Sequence, residues 1–538
     1  MADLLRTSLL WRVLLSIGGF FSRLIDGSAI FGAIRRCWQV SSIRAWLVRR
    51  LGASTAPTDS SRCAGAAVRA NAWLSRRHTL KAWVRGSLLY RIYAAVFSCG
   101  RESKTLGWLF SGGMRAFLLV AVGLYVLIDY VLRDMLHIPL ISSVWDEALL
   151  VFCFVWLIWE RLDRQKPLAA RGNPLDLPVA IFFVTGFVLM NVVTPYYSIQ
   201  IAGFRATAQY LLWFYIITRL LRDDKDFMVL YLTLLLLAVG ISLHGIYQYI
   251  AGVPMPANWV AQAETAVRTR VYSIFGSPNI MGDYMVLFVP MAVGLAYYAK
   301  DTRVKILSWL CAVIMCFACL FTMSRGAWVA MAVTIVLFIL LVDRRLFWLL
   351  LACCACLLLI PFVRTRIGFL FTEDFIAANT NGGRGGRWAL AMENLYNASP
   401  LLGMGLGMFG GAVAMQNQVI DHLQYFYVDN YYLKILVEMG YVGLGTFILM
   451  LLGLLHTGCR ALYRTGVRIR QQLDRTYCLC AGMFSGLVGV LVHCYFENIF
   501  EEPYMMVYYW IIAAMLVYLG FIRPKQKGAR HAAADSEL

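Results

Sequence analysis

The stretch RVKILSWLCAVIMCFACLFTMSRGAWVAMAVTIVLFILLVDRR, residues 303–345, contains two long apolar segments, and a single charged residue, Arg325, stands where the second begins. The segments, 303–321 and 325–342, each have the length of a helix that crosses a bilayer. Basic residues stand at both ends of the stretch, so the positive-inside tendency predicts that both ends face the cytoplasm. Arg325 then lies at the outer end. The stretch predicts a membrane-embedded helical hairpin with one arginine outside.

Apolar segments of this kind recur along the 538-residue chain, which is 60% hydrophobic and 15% charged. Lys and Arg cluster after every second segment, which predicts that those connections and both termini lie inside. The fold class is therefore predicted to be all-α: a polytopic membrane protein, N-in and C-in, with a large outer loop containing short helices. We predict about 12 transmembrane helices, at 115–132, 144–161, 176–194, 204–221, 226–250, 280–298, 303–321, 325–342, 346–363, 430–456, 477–496 and 503–521.

The composition predicts three regions. Residues 1–113 hold 17 Lys or Arg against four acidic residues, interleaved with Leu, Trp and Phe, which favours a cytoplasmic or inner-leaflet position over binding to nucleic acid. Residues 114–522 form the transmembrane domain, and 523–538 form a basic-to-polar cytoplasmic tail. The 14 cysteines show no metal-ligand spacing with His, so neither a metal site nor a cofactor is expected.

The longest predicted outer loop, about 364–429, contains Arg384 within the run Gly382–Gly386. A short helix is predicted at 387–397, directly after this run. Glycine amides and a helix N-terminus together form an anion cradle, to which Arg384 and Arg387 would add charge. A flexible hinge with two solvated arginines is the alternative.

Arg325 is predicted to open its helix from the outer side, with Ser324 as N-cap. Snorkelling of the arginine to the interface is the alternative interpretation. Arg270, in the outer loop about 251–278, is a further candidate, and Asn279 is predicted to cap the next helix. Outer arginines oppose the positive-inside tendency, and their fork geometry matches diphosphate oxygens.

Asp429 and Asn430 open the tenth predicted span from outside. A carboxylate at this position can accept a proton from a hydroxyl, although capping of the helix by Asp429 explains it equally well. His422, in the same loop, is an alternative base. Glu438 lies deeper in the span, where a structural hydrogen bond to another helix is the favoured interpretation.

Several motifs, in this order and with a shared outward location, resemble the O-antigen ligase and polymerase superfamily. The resemblance covers about residues 115–520. The motifs are Phe275-Gly276-Ser277-Pro278-Asn279, Ser324-Arg325-Gly326, Arg384 four residues before Trp388, the run 400–409 (PLLGMGLGMF), Asn430-Tyr431-Tyr432-Leu433 and Glu438-Met439-Gly440.

The resemblance implies a metal-independent GT-C glycosyltransferase in the bacterial cytoplasmic membrane, with an outward-facing site. Its donor would be a glycan on undecaprenyl diphosphate, and its acceptor a glycan, a lipid or a protein. The resemblance implies Arg325 and Arg384 as catalytic ligands of the diphosphate. Asp429 as the catalytic base, and Arg387 and Arg270 as further diphosphate ligands, are predicted from their positions in the outer loops. Asn279, Asn430 and Glu438 would support them.

One position departs from the family pattern, since ligases often have His where this chain has Asp429. Polymerase and ligase therefore both remain open. A multi-span transporter of a small anion or other solute is the alternative function, although no internal repeat typical of transporters is visible. A membrane scaffold is a third possible class of function, but it would not explain the outer arginines.

Overall fold

The computed structural model describes residues 69, 72–73, 78–103, 107, 110, 113–164, 173–254, 269–343, 346–368, 372, 383–418, 426–467 and 475–524. In this part of the chain every regular element is a helix and no strand occurs, which confirms the all-α class. In chain order the helices are α1 (His78–Gly86), α2 (Leu88–Glu102), α3 (Gly113–Gly123), α4 (Tyr125–Tyr130), α5 (Pro139–Ser142), α6 (Trp145–Arg164), α7 (Asp176–Val192), α8 (Tyr197–Ala208), α9 (Leu212–Leu220), α10 (Asp224–Ala251), α11 (Pro278–Tyr298), α12 (Thr302–Phe321), α13 (Arg325–Leu341), α14 (Leu346–Leu359), α15 (Pro361–Gly368), α16 (Arg384–Asn397), α17 (Ala412–Asn417), α18 (Tyr431–Val467), α19 (Thr476–His493) and α20 (Pro503–Val517). Short 3-10 turns span Gln209–Leu211 and Ile499–Glu501, and π-helical turns span Val131–Met135 and Tyr518–Ile522.

Among the described residues, six helices are long and apolar enough to cross a membrane: α10, α11, α12, α18, α19 and α20 with its π-helical extension. The bent pair α3 and α4, at 68°, gives a seventh if it is one span. The predicted span 204–221 is wrong as a single helix, because the 3-10 turn Gln209–Leu211 separates α8 from α9. The multi-pass architecture is confirmed, whereas the number 12 and the orientation stay predictions.

The helices fall into two compact units, each described separately below. The first unit contains residues of 245–390 and 458–497, and the second contains residues of 54–244, 391–457 and 498–538.

In the first unit, α11 packs against α12, α13 and α19. The contact between α11 and α19 is close because α19 presents Gly482 and Gly486, where any Cβ would meet the carbonyl oxygens of Pro290 and Leu287. Small residues four apart let two membrane helices approach to backbone contact, which gains dispersion energy where lipid supplies no hydrophobic drive. The glycines therefore fix the spacing of the two helices.

Hydrogen bonds near one end of the first unit show which helix ends lie together. Arg475 Nη1 donates to Ala299 O at 2.9 Å, and Tyr477 OH donates to Leu341 O at 2.9 Å. The ends of α11 and α13 thus lie beside the start of α19. The predicted topology places these three helix ends on the cytoplasmic side, and the contacts agree with that alternation.

In the second unit an ion-pair network joins helix ends in the same way. Arg115, on α3, pairs with Glu160 at 2.5 Å and with Asp226 at 2.9 Å, and Arg222 pairs with the same Glu160 at 2.7 Å. The start of α3, the end of α6 and the start of α10 therefore lie together. These helix ends are also predicted to face the cytoplasm.

A tyrosine of α20 stabilises the bend between α3 and α4. Tyr508 OH accepts a hydrogen bond from Val126 N at 2.9 Å and donates to Gly123 O at 3.2 Å. A bend in a membrane helix frees backbone groups that the hydrocarbon cannot solvate. The Tyr508 hydroxyl bonds two of these groups, so the bend is built into the packing.

Helix α18 is broken at Gly440, whose φ of 65° and ψ of −169° are not helical. The glycine-rich segment 400–405 fills the break. Met404 N and Gly405 N donate to the carbonyls of Val437 and Glu438 at 2.8 and 2.9 Å, while Tyr441 N and Val442 N donate to Pro400 O and Leu401 O at 2.9 and 3.2 Å. The segment thus exchanges hydrogen bonds with both sides of the break. The motifs at 400–409 and 438–440 are one structural feature.

Candidate active site

Arg325 begins α13 directly after a tight turn, Phe321–Ser324. Met323 has a φ of 55°, and the Ser324 side chain accepts a hydrogen bond from Ala327 N, which confirms the predicted N-cap. Arg325 itself is half-buried. We call residues 321–326 the arginine turn. The backbone of this turn sets the position of the Arg325 Cα atom, from which the side chain extends.

Arg270 supports the arginine turn from the preceding loop. Its Nε donates to Thr322 O at 3.0 Å and its Nη2 donates to Asn279 Oδ1 at 3.1 Å. The side chain is buried. These bonds favour a positioning role for Arg270, and its part in binding diphosphate stays a prediction.

Asn279 does not cap α11 as the sequence predicted. The cap is Ser277, whose Oγ accepts a hydrogen bond from Ile280 N at 3.4 Å, because Pro278 occupies the first helical position and moves the cap back to Ser277. Asn279 Nδ2 instead donates to the Glu497 carboxylate, and Glu497 is buried.

Arg384 begins α16, three residues before the predicted start at 387. Gly385 and Gly386 therefore lie in the first helical turn and not in a loop, which corrects the predicted cradle; Gly382 lies outside the described residues. Arg384 Nη2 donates to Phe496 O at 2.9 Å. Arg387 follows one turn later, and both arginines are half-buried.

The segment His493–Glu497, which we call the 493–497 turn, brings these parts of the first unit together. Arg384 bonds its Phe496 carbonyl and Asn279 bonds its Glu497 carboxylate. A Cβ on Gly326, the residue after Arg325, would lie 2.8 Å from His493 Nε2 and 3.2 Å from Phe496 Cβ. Arg384 and the arginine turn therefore both contact this turn, although 59 residues of sequence separate Arg325 from Arg384.

His493, the first residue of the 493–497 turn, is buried. Its Nδ1 lies 2.9 Å from Asp283 Oδ1, and the two side chains are 1% and 0% exposed. Histidine can occur anywhere on an apolar helix, so the sequence does not predict that His493 pairs with Asp283.

In the second unit, Asp429 is half-buried and has a φ of 50°. Its neighbours are held in place: Val428 N donates to Gly410 O at 3.3 Å, and Asn430 N donates to Asn498 Oδ1 at 3.2 Å. The left-handed backbone costs little for Asp compared with bulkier residues. The position of Asp429 is therefore fixed by the chain on both sides.

Asn430, and not Asp429, caps α18, since Asn430 Oδ1 accepts a hydrogen bond from Leu433 N at 3.1 Å. The capping interpretation of Asp429 is wrong for this reason. Its role as a base stays a prediction. The alternative base, His422, lies outside the described residues.

The hydrogen bond that was predicted from Glu438 to another helix is not the contact observed. The carboxylate instead bonds a lysine of its own helix and the backbone beside the glycine-rich segment. Its Oε2 pairs with Lys434 Nζ at 2.8 Å, and its Oε1 accepts a hydrogen bond from Phe409 N at 3.3 Å. Glu501 bonds Ala412 N, and Asn498 Nδ2 donates to Gly410 O at 2.7 Å. These contacts hold residues 409–412 against the start of α18.

No group of three or more His, Cys, Asp or Glu within the described ranges has the geometry of a metal site. In the first unit, the cationic groups of the candidate site are its arginines.

Comparison with known proteins identifies one family. Residues 310–460 match the family model described as O-antigen ligase. No curated protein matches the chain. The matched region contains Arg325, Arg384, Asp429 and Glu438, whereas Arg270, Asn279 and the 493–497 turn lie outside it. Residues 310–460 therefore resemble an O-antigen ligase domain.

Proposed function

We propose that the protein is a membrane glycosyltransferase that transfers or polymerises oligosaccharides carried on undecaprenyl diphosphate, at the outer face of the bacterial cytoplasmic membrane. The O-antigen ligase domain supports the reaction class and a lipid-linked glycan donor. The observation that carries the proposed site is the contact of both Arg384 and the arginine turn with the 493–497 turn. A glycan, lipid or protein would be the acceptor.

Arg325 and Arg384 are the proposed diphosphate ligands. As the bond between the anomeric carbon and the diphosphate oxygen breaks, the bonding electrons remain on the diphosphate and its negative charge grows. Two guanidinium groups that face this oxygen bind it more strongly in the transition state than in the ground state, which lowers the barrier. Arg387, on the same helix as Arg384, is a further proposed ligand.

Asp429 is the proposed base. The acceptor hydroxyl oxygen forms the new bond to the anomeric carbon, and its proton passes to the carboxylate. Direct attack of this kind inverts the anomeric configuration. Support for this role comes from the place of Asp429, where ligases often have another base, His, and from the backbone contacts that fix Val428 and Asn430 around it.

The N-terminal region is proposed to lie on the anionic inner leaflet. Within the second unit, helix α2 packs through Tyr90, Tyr93 and Phe97, with Tyr90 contacting Trp159 and Tyr93 contacting Trp156 at ring-centroid distances of 5.5 and 5.7 Å. The opposite face of α2 is apolar and exposed, at Leu88, Leu89, Ile92 and Val96. Basic residues beside such a face favour a membrane surface.

The decisive experiment incubates the purified protein with an undecaprenyl-diphosphate oligosaccharide, in chelator and without nucleotide, and resolves products by gel and mass spectrometry. A ladder of longer carrier-linked glycans establishes a polymerase. Product that forms only after addition of a lipid or protein acceptor establishes a ligase. A monodisperse preparation without turnover on any acceptor overturns the proposal.

The transporter alternative is not favoured by the family match. Broken helices do occur, as transporters require. However, the breaks at α3–α4 and at Gly440 are bonded by Tyr508 and by segment 400–405, so protein groups occupy them. Solute flux into proteoliposomes, without glycan transfer, would reverse this preference.

A further inference from the structure

The buried pair Asp283–His493 takes no part in the chemistry proposed above, yet its imidazole lies beside Gly326, the residue after Arg325. Asp283 belongs to the first turns of α11, and His493 is the last residue of α19. Their 2.9 Å contact joins the two helices. Within the described residues, His493 is the hydrogen-bond partner of this carboxylate.

A carboxylate inside a membrane domain is costly to bury, and its retention indicates a function. Joining α11 to α19 does not require it, because Gly482 and Gly486 already bring the two helices into backbone contact. The pair is therefore better explained by what lies beside it than by helix association.

The arginine turn is enclosed between the two helices that the pair connects. On the α19 side, Gly326 faces His493 Nε2 and Phe496. On the α11 side, Gly282, the residue before Asp283, is so close to the turn that a Cβ would meet Ala327 Cβ and approach Thr322 Oγ1. The imidazole and the Gly282 backbone thus confine the first turn of α13 from two sides.

The position of this turn matters because a guanidinium binds diphosphate in a fixed fork geometry. A displacement of about 1 Å at a reacting centre can reduce the rate by about 100-fold. A short, directional hydrogen bond between buried side chains fixes a helix end more narrowly than apolar packing does, because it specifies both distance and angle.

We propose that Asp283 and His493 are a positioning pair that orients the arginine turn, so that Arg325 meets the diphosphate leaving group. This inference rests on the proposed function of Arg325. Asp283 fixes the imidazole through Nδ1, and the opposite edge of the imidazole supports the backbone at Gly326.

The test measures kcat and KM of the full-length protein with the undecaprenyl-diphosphate donor. Asp283→Ala and His493→Ala are expected to lower kcat by about 10- to 100-fold with little change in KM, because the lost interaction acts in the transition state. Asp283→Asn keeps an acceptor oxygen for His493 Nδ1 and is expected to recover most of the rate. Ser485→Ala, also fully buried and two turns earlier on α19, is the matched control and should keep the wild-type kcat.

A double-mutant cycle decides whether the pair acts through Arg325. In an Arg325→Lys background, which lacks the fork, His493→Ala should cause little further loss. If Arg325→Lys is too slow to measure, the same cycle is read on the dissociation constant of undecaprenyl diphosphate. Equal fold-losses in both backgrounds, or an unchanged kcat in His493→Ala, overturn the positioning role alone. Wild-type activity of Arg325→Ala would instead overturn the proposed function together with this inference.

Discussion

At the scale of single residues, the candidate site shows arginine used in two ways. Arg270 is buried and donates to a carbonyl and to an amide oxygen, which positions the chain. Arg325 and Arg384 are half-buried at the first positions of their helices. A cation at a helix start opposes the helix dipole, so both are unfavourable there for helix stability alone. The proposed diphosphate substrate would account for both arginines.

Replacement of Arg384 tests whether its fork geometry matters. We expect Arg384→Ala to reduce the transfer rate by about 100- to 1,000-fold, which is the usual effect of removing one hydrogen-bond donor that stabilises charge in the transition state. Arg384→Lys should remain at least about tenfold impaired, because an ammonium cannot bind two oxygens in parallel. Rates are measured with the carrier-linked glycan.

The control for Arg384 is Arg205→Ala. Arg205 is an exposed arginine that pairs with Glu147 in the second unit, and its loss should leave the rate unchanged. An Arg384→Lys variant with wild-type activity would show that charge alone suffices.

Asp429 gives a second prediction at this scale. Asp429→Asn is expected to lose nearly all activity, because an amide cannot accept the proton. Asp429→His should retain activity, since imidazole is a base and His tolerates the left-handed backbone at this position. Turnover by the Asn variant at the wild-type rate would exclude Asp429 as the base.

At the scale of elements, the hydropathy pattern of the sequence gives no sign of the break in α18. The apolar pattern runs without interruption through Gly440, yet the segment 400–405 enters there and takes over four backbone hydrogen bonds. Hydropathy depends on side chains, so it does not report a change in the hydrogen-bond partners of the backbone. The result is a rigid junction between the glycine-rich segment and the span that Asn430 caps.

Two glycines five residues apart in α18 allow a matched test of this junction. Gly440→Ala is expected to destabilise the protein by about 2–4 kcal/mol, because Gly440 has a backbone conformation nearly restricted to glycine and a Cβ would meet the Leu401 carbonyl. Gly445→Ala should be neutral, since a Cβ there has open space. Thermal unfolding in detergent measures both, and equal melting temperatures would contradict the junction.

At the scale of the whole molecule, the region that matches the O-antigen ligase model does not contain the whole candidate site. The matched region 310–460 contributes Arg325 and Arg384, but the 493–497 turn, Asn279 and Arg270 come from outside it. A fragment limited to the matched region would therefore lack the groups that position both arginines.

Truncation of the N-terminal region tests how far the enzyme extends. Deletion of residues 1–77 is expected to leave both activity and stability unchanged. Deletion of 1–102 should also leave the chemistry intact, but it should lower the melting temperature, because it removes the aromatic contacts of α2 with Trp156 and Trp159. A stable but inactive 1–102 deletion would show that α2 belongs to the catalytic machinery.

The sequence by itself determined the helical membrane class, the N-cap at Ser324 and the helix near Arg387. These properties depend on local composition, since hydropathy, capping and breaker residues act over a few neighbours. Only the tertiary structure decided that Arg384 bonds Phe496, that Asn279 bonds Glu497 and that His493 bonds Asp283. These partners lie more than 100 residues apart, and one polar residue on an apolar helix does not specify its partner. Their pairing follows from close helix packing, which depends on where glycines permit backbones to approach.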